Sequence, residues 1–180
     1  MTHTDLLKLL FELGVLSRTP RTGPYHVGIT NQETIAAHAY RASVLAYFIA
    51  KEEGADAQKV MTMALVHDMT ETRSLEQTFI QQKYASVDAL RMLSDQLRNL
   101  RGGDELQRAF DELSKGATKE SHVVHDAALL ETLIEAKEYV QAGVTIMERW
   151  FLDKRAALKT ATGKALFDLL EKETIYWWND

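Results

Sequence analysis

The 180-residue sequence contains no cysteine and only two prolines, Pro20 and Pro24. Without cysteine the chain can form neither a disulfide nor a thiolate metal site. Its longest apolar run, ASVLAYFIA, is far shorter than the ~20 residues that cross a bilayer. The N-terminal MTHTDLLKLLFELG lacks the basic start and small-residue cleavage site of a signal peptide. We therefore expect a cytoplasmic protein with no membrane partner.

Basic charge is also scarce. The formal net charge is −5, and the most basic stretch, SRTPR at 17–21, holds only two arginines. Two arginines suffice for one phosphate group but not for the backbone of a duplex, so we expect no nucleic-acid partner. The hydrophobic fraction of 46% and the charged fraction of 26% are those of an ordinary globular protein. The chain length fits one domain over residues 1–180.

What the sequence does contain is helical periodicity. Both prolines fall in a single irregular stretch, and the nine glycines cut the rest into pieces of helical length. Most pieces space their apolar residues by three and four, and none shows sustained alternation of apolar and polar residues. The pattern predicts an all-α domain with helices over 4–13, 31–52, 57–71, 86–100, 104–115, 119–141, 144–158 and 162–178.

Two histidines project from predicted buried faces. His38 lies three residues after Ile35 and four before Ala42, and His67 follows Val60 and Ala64 at the same spacings. Asp68 is adjacent to His67, and Glu71 follows one turn later. These donors could share a metal, although a single histidine on an apolar face is often only a hydrogen-bonded core residue.

The dipeptide His-Asp is weak evidence by itself, because it occurs twice, at 67–68 and 125–126. A mixed nitrogen and oxygen ligand set suits Mn²⁺, Co²⁺, Fe²⁺, Ni²⁺ or Zn²⁺. Such an ion can orient a phosphoryl oxygen and activate water, which Glu71 could position or deprotonate. The aromatic IYWW at 175–178 is typical of core or subunit-interface packing.

Four separated motifs, GVLSRTPRTG, ETIAAHAYR, ALVHDMTE and LLETLIEAKEY, resemble in order and spacing the HD-domain phosphohydrolases, specifically their small 5′-deoxynucleotidase-like branch. The resemblance runs from about residue 13 to 143, and the C-terminal helices of 144–180 add little to it. It implies a helical bundle of about seven or eight helices, commonly a homodimer. It also implies one divalent metal (Mn, Co, Mg, Fe, Ni or Zn) and hydrolysis of a (deoxy)nucleoside 5′-monophosphate to nucleoside and phosphate.

By position, the resemblance assigns three metal ligands: His38, His67 and Asp68. Glu71 matches the acid that assists the attacking water and is assigned as catalytic. Asp68 is assigned as catalytic as well as a metal ligand. Arg18 matches the residue that holds the substrate phosphate. Glu76 falls where the family usually has an aspartate lining the nucleotide site.

Some positions depart from the family pattern. Ala37 replaces a common acidic residue, and Thr19 stands where some members carry an aromatic residue. Most importantly, Ala128 occupies the position of the fourth metal ligand, an aspartate. Asp126 lies two residues earlier, about 200° round the helix, and is expected to point away from the metal.

Because of Ala128, we expect weakened metal binding and turnover. The alternatives are a catalytically silent nucleotide-binding or regulatory HD-domain module, or a helical dimer with no small-molecule site.

Overall fold

Side-chain caps mark the start of the longest helices. In the computed structural model, which describes residues 2–179, ten α-helices follow in order: α1 (His3–Leu13), α2 (Thr22–Tyr25), α3 (Ile35–Glu53), α4 (Ala57–Val66), α5 (Glu71–Ser74), α6 (Ala89–Leu97), α7 (Gly103–Lys115), α8 (Lys119–Gln141), α9 (Lys154–Ala157) and α10 (Ala161–Leu170). Short 3₁₀ helices cover Gln81–Lys83, Thr145–Phe151 and Trp177–Asn179. Seven of the α-helices have nine or more residues, and the described chain contains no β-strand, which confirms the predicted all-α class.

The core forms between α3 and α8, the two longest helices, which pack against each other. Helices α4, α7 and α10 pack around this pair. Ile49, Met63, Leu130 and Leu133 are almost completely buried in the main cluster, and each such side chain contributes about 1.5–3 kcal/mol to folding. A second cluster, which includes Leu93 and Phe110, packs beneath α1, α6 and α7. The long helices α3 and α8 thus form the rigid core of the fold, and both contribute residues to the polar site described below.

Helix α3 begins at Ile35 rather than at residue 31. Thr34 is extended and its hydroxyl caps the helix by accepting from the Ala37 amide. The residues before it pair with the proline-containing segment, since the Arg21 amide donates to the Glu33 carbonyl at 2.9 Å and the Ile35 amide donates to the Thr19 carbonyl at 3.0 Å. This pairing brings the arginine-bearing segment to the start of α3. At the other end, Gly54 stops the helix in the left-handed region, at φ 63°.

Two helices predicted near the C-terminal end, over 144–158 and 162–178, do not have the predicted bounds. Residues 144–158 do not make one α-helix: a 3₁₀ helix covers Thr145–Phe151, and Asp153 at φ 61° breaks the chain before α9. Helix α10 ends at Leu170, well short of residue 178. Trp177 and Trp178 are exposed, so the aromatic tail is not core packing. Within the described residues, no helix is both long and apolar enough to cross a membrane.

Candidate metal centre

His38 reaches the site from the first turn of α3. It shares the buried face of that helix with Ile35 and Ala42, and only 2% of its surface is exposed. The periodicity of three and four therefore predicted its direction correctly.

His67 and Asp68 lie at a break between two helices. The predicted helix 57–71 ends instead at Val66, residues 67–70 form a turn, and α5 starts at Glu71. The His67 Nδ1–H donates to the Ala64 carbonyl at 2.6 Å, which leaves Nε2 with a lone pair. The turn therefore aims Nε2 of His67 and the carboxylate of Asp68 at His38.

The three side chains converge on one point. Asp68 Oδ2 lies 3.0 Å from His67 Nε2 and 3.8 Å from His38 Nε2, and one donor atom from each residue lies within 4.8 Å of the others. Apart from their contact with each other, His67 Nε2 and Asp68 Oδ2 are buried without a hydrogen-bond partner. Buried polar atoms are rarely left unpaired in folded proteins. This donor set fits a divalent ion that accepts nitrogen and oxygen ligands.

The charge at the centre is negative. Burial by itself would raise the pKa of Asp68, but the adjacent His67 outweighs it and holds that pKa at about 2. Burial likewise opposes the charged form of the His67 ring, yet Asp68 raises the pKa of that ring above its ordinary value. The Asp68 carboxylate is thus ionised at neutral pH and can ligate a cation.

Behind His38 lies Glu131 of α8, which the sequence analysis missed. Its Oε2 contacts His38 Nδ1, and its Oε1 lies 3.2 Å from Nε of Arg41. Arg41 in turn donates to both carboxylate oxygens of Glu138, at 3.0 and 3.1 Å. A carboxylate that accepts from one imidazole nitrogen turns the other nitrogen toward a metal. The available signal was a glutamate at a buried helical spacing, four residues after Ala127 and four before Glu135.

Three carboxyls crowd this inner side of the site: Glu33, Glu131 and Glu135. Burial, together with the charges of Glu131 and Glu135, raises the pKa of Glu33 to about 8. Burial also raises the pKa of Glu135. Glu33 is therefore mostly protonated at neutral pH, which lowers the negative charge of the cluster.

Glu71 and Glu76 lie close to Asp68. Burial, followed by the charges of Asp68 and Glu76, raises the pKa of Glu71 to about 8. Glu76 pairs with Arg21, with Oε1 2.9 Å from Nη1, and accepts from the Thr22 amide. A carboxyl with a pKa near neutrality can take and return a proton at pH 7.

Arg21 lies close to the carboxyls on this side of the centre. Besides pairing with Glu76, Arg21 donates from Nη2 to the Thr132 hydroxyl at 3.1 Å. Its charge acts on the carboxyls of Asp68 and Glu71. Arg18 is exposed beside Gly14, and within the described residues its side chain makes no ion pair or hydrogen bond. The role of Arg18 thus stays a prediction, and Arg21 is the arginine that sequence reasoning undervalued.

Ala128 and Asp126 occupy different sides of α8. Ala128 lies one turn before Glu131 and its methyl group offers no ligand atom. Asp126 is buried, and its carboxylate accepts from the amides of Lys159 and Thr160 and from the Thr160 hydroxyl, at 2.7–3.1 Å. Asp126 is thereby committed to the residues before α10 and does not join His38, His67 and Asp68.

This arrangement can be compared with known proteins. The family model of the HD domain matches residues 13–165. The chain belongs to the HD-domain family. The motif resemblance predicted this membership, and the HD-domain match extends it past residue 143 into the C-terminal helices.

Among curated relatives, this HD-domain chain is 28% identical over 145 residues to 5′-deoxynucleotidase HDDC2 of Danio rerio, covering 75% of this chain and 70% of that one. It is 27% identical to 5′-deoxynucleotidase HDDC2 of Homo sapiens over 145 residues, covering 75% and 68%.

Two solved structures show the same fold. A conserved hypothetical protein from Pyrococcus furiosus superposes with a TM-score of 0.78 at 24% identity, covering 93% of this chain and 99% of that one. The HD phosphohydrolase DatZ of cyanophage S-2L, bound to dA and one catalytic Zn²⁺ ion, superposes with a TM-score of 0.56 at 17% identity, covering 91% and 96%.

Proposed function

We propose that the protein is a metal-dependent phosphohydrolase that converts (deoxy)nucleoside 5′-monophosphates to nucleoside and phosphate. The observation that carries this conclusion is the convergence of donor atoms from His38, His67 and Asp68 next to a protonatable Glu71. Membership of the HD-domain family and relatives named 5′-deoxynucleotidases support the substrate class.

Each residue has a defined task. His38, His67 and Asp68 would hold one divalent ion (Mn, Co, Mg, Fe, Ni or Zn), which supplies Lewis acidity toward a phosphoryl oxygen. Glu71 accepts a proton as water attacks phosphorus, and the proton then passes to the departing 5′-oxygen of the nucleoside. Arg18 and Arg21 offer guanidinium groups to the phosphate. Glu76 orients Arg21 through their ion pair.

Ala128 makes this a centre with three protein ligands. Water or substrate oxygen would complete the coordination, so metal binding persists with reduced affinity. The alternative is the silent nucleotide-binding module, and Ala128 is the feature that favours it.

The decisive experiment measures phosphate release from a panel of deoxynucleoside and ribonucleoside 5′-monophosphates. The protein is stripped with EDTA and reloaded with Mn²⁺ or Co²⁺. We expect turnover that requires the metal, is abolished by His67→Ala and is retained by the matched variant His125→Ala. Metal content measured by elemental analysis should follow the same order.

Ala128→Asp sharpens this test by adding a carboxylate at the vacant ligand position. We expect about a tenfold gain in metal affinity, equivalent to about 1.4 kcal/mol, with a parallel gain in turnover. Tight nucleotide binding with no hydrolysis by either protein would select the silent module. If neither protein bound metal or nucleotide, the hydrolase and the module would both be wrong.

We further propose a cytoplasmic homodimer in which each chain is one HD domain over residues 1–180. Support comes from an exposed apolar face of α3 formed by Tyr40, Val44, Tyr47 and Phe48, each at least 40% exposed. The exposed aromatic tail adds Trp177 and Trp178. Light scattering should give twice the chain mass, and Phe48→Glu should shift the protein to monomer. A monomeric wild type would contradict the dimer.

A further inference from the structure

A cavity of about 470 Å³ lies against α8. One wall comes from α8, at Leu129, Thr132 and Leu133. The opposite walls come from the segment around α2 and from the chain that follows α8, including Trp150. The volume is in the range of small-molecule sites, which is about 300–1,000 Å³. The HD-domain fold therefore carries a ligand-sized space that the catalytic side chains do not fill.

Aromatic rings define the shape of this cavity. Trp150 packs so closely on Gly23 that a Cβ at that position would overlap the indole ring. The backbone of the RTGP segment thus fixes the orientation of the Trp150 ring. On another side, the rings of His26 and Phe79 lie with their centroids 4.6 Å apart. Flat rings held in a fixed orientation offer stacking surfaces to another flat ring.

The charges around the cavity are of one sign. Arg149 and Lys154 belong to its lining, whereas none of its lining residues is a carboxylate. This separates the cavity from the acidic metal centre. It disfavours a cationic ligand and suits a neutral aromatic ring that bears hydrogen-bond acceptors, as purine and pyrimidine bases do.

The cavity is connected to the metal centre through Arg21. The Thr132 hydroxyl lines the cavity and accepts from Nη2 of Arg21 at 3.1 Å. Nη1 of the same guanidinium lies 2.9 Å from Glu76. A ligand with its phosphate near Arg21 and the metal ligands would therefore have its other end within reach of Trp150.

Given the hydrolysis proposed above, on which this inference rests, we propose that the cavity binds the base of the nucleotide substrate. The base stacks on Trp150, while Phe79 closes the open side. Stacking of a base on an aromatic side chain is sequence-tolerant, so this cavity accepts several bases. It is built largely from residues around α2 and after Gln141, where the sequence motifs gave no indication of a site.

The kinetic test compares dAMP with deoxyribose 5-phosphate, which has the same phosphate and sugar but no base. For Trp150→Leu we expect the ratio of kcat/KM for dAMP to kcat/KM for deoxyribose 5-phosphate to fall about tenfold, as for loss of one stacking partner. The exposed Trp177→Leu is the matched control and should keep the wild-type ratio. An unchanged ratio in Trp150→Leu would overturn the assignment.

A binding test makes the inference independent of turnover. Metal-stripped protein is titrated with deoxyadenosine by calorimetry, using wild type, Trp150→Leu and Phe79→Ala. We expect about tenfold weaker binding in both variants. Phe79 is largely exposed, so its replacement tests the cavity even if Trp150→Leu fails to fold. Equal binding by wild type and Phe79→Ala would overturn the base site.

The two proposals fail separately. Deoxyadenosine binding that depends on Trp150, without phosphate release from any nucleotide, would keep the cavity and remove the hydrolase. Phosphate release without such binding would do the reverse. Binding of inorganic phosphate that is lost on Lys154→Ala, with no binding of deoxyadenosine, would identify an anion site and overturn the base assignment.

Discussion

The two His-Asp dipeptides of this chain have the same sequence but different roles. At 67–68, His67 Nε2 and Asp68 Oδ2 contact each other, are otherwise buried without hydrogen-bond partners, and face His38. At 125–126, the ring of His125 binds the Leu113 carbonyl at 3.1 Å and Asp126 caps the start of α10. The difference lies in whether the protein itself uses the donor atoms. Only unused donor atoms are available to a metal.

The local backbone explains this difference. His67 and Asp68 lie where α4 stops, so both side chains can turn to the same side. His125 and Asp126 lie inside α8, where successive side chains diverge by about 100°. His125 consequently contacts α7, while Asp126 contacts the residues before α10.

The largest expected effect comes from breaking the first pair. Asp68→Asn removes an anionic ligand while keeping the side-chain shape. We expect phosphate release to fall about 1,000-fold, the equivalent of about 4 kcal/mol of transition-state stabilisation. The assay is steady-state hydrolysis of dNMPs with Mn²⁺. The same substitution in the second pair, Asp126→Asn, should retain its metal, and loss of metal from it would contradict the division of roles.

For the stability of the fold, we expect the second pair to matter more than the first. Asp126→Ala leaves the amides of Lys159 and Thr160 without an acceptor, so the free energy of unfolding should fall by about 2–4 kcal/mol. Asp68→Ala, in metal-free protein, removes the contact with His67 but leaves no backbone amide without its acceptor, so it should cost less. Urea denaturation followed by circular dichroism measures both. If Asp68→Ala lowered the free energy of unfolding more than Asp126→Ala, this prediction would be wrong.

A smaller effect should follow from the carboxylate behind His38. Glu131→Leu removes the acceptor that orients this ring, and we expect about 10–100-fold weaker metal binding. Glu131→Gln keeps an acceptor oxygen and should lie between wild type and Glu131→Leu. Calorimetric titration with Mn²⁺ gives the affinities. Equal affinity in all three proteins would show that Glu131 does not position His38.

The smallest effect concerns pH. Glu33 has its pKa raised from 4.5 to about 8 by burial and by its acidic neighbours. Between these values the unfolded chain binds fewer protons at this group than the folded protein, so stability falls as pH rises from 4.5 to 8.

Glu33→Gln should remove part of the loss of stability that occurs as the pH rises from 4.5 to 8. In metal-free protein, the drop in Tm between pH 5 and pH 8 should shrink by about 2–4 °C, as for about 1 kcal/mol in a chain of this size. Differential scanning fluorimetry is sufficient, with the exposed Glu173→Gln as control. An unchanged drop would mean that Glu33 is ionised at neutral pH.

The sequence allowed the helical class and the direction of His38 and His67 to be predicted, because buried apolar neighbours at spacings of three and four fix a helix face. It did not reveal Glu131, since a glutamate in a long amphipathic helix usually indicates a solvated position. Trp150 was missed for another reason. The left-handed backbone at Asp153 divides a stretch whose composition predicts a continuous helix, and only tertiary packing on α8 determines where the indole ring lies.

The end of α4 at Val66 also bears on the aspartate that was expected at position 128. The peptide dipoles of a helix sum to roughly half a negative charge at its C-terminal end. His67 and Asp68 directly follow that end, so a cation bound between them would lie in the negative field of α4 as well as beside Asp68. The backbone thereby contributes some of the electrostatic attraction that an aspartate at position 128 would have supplied.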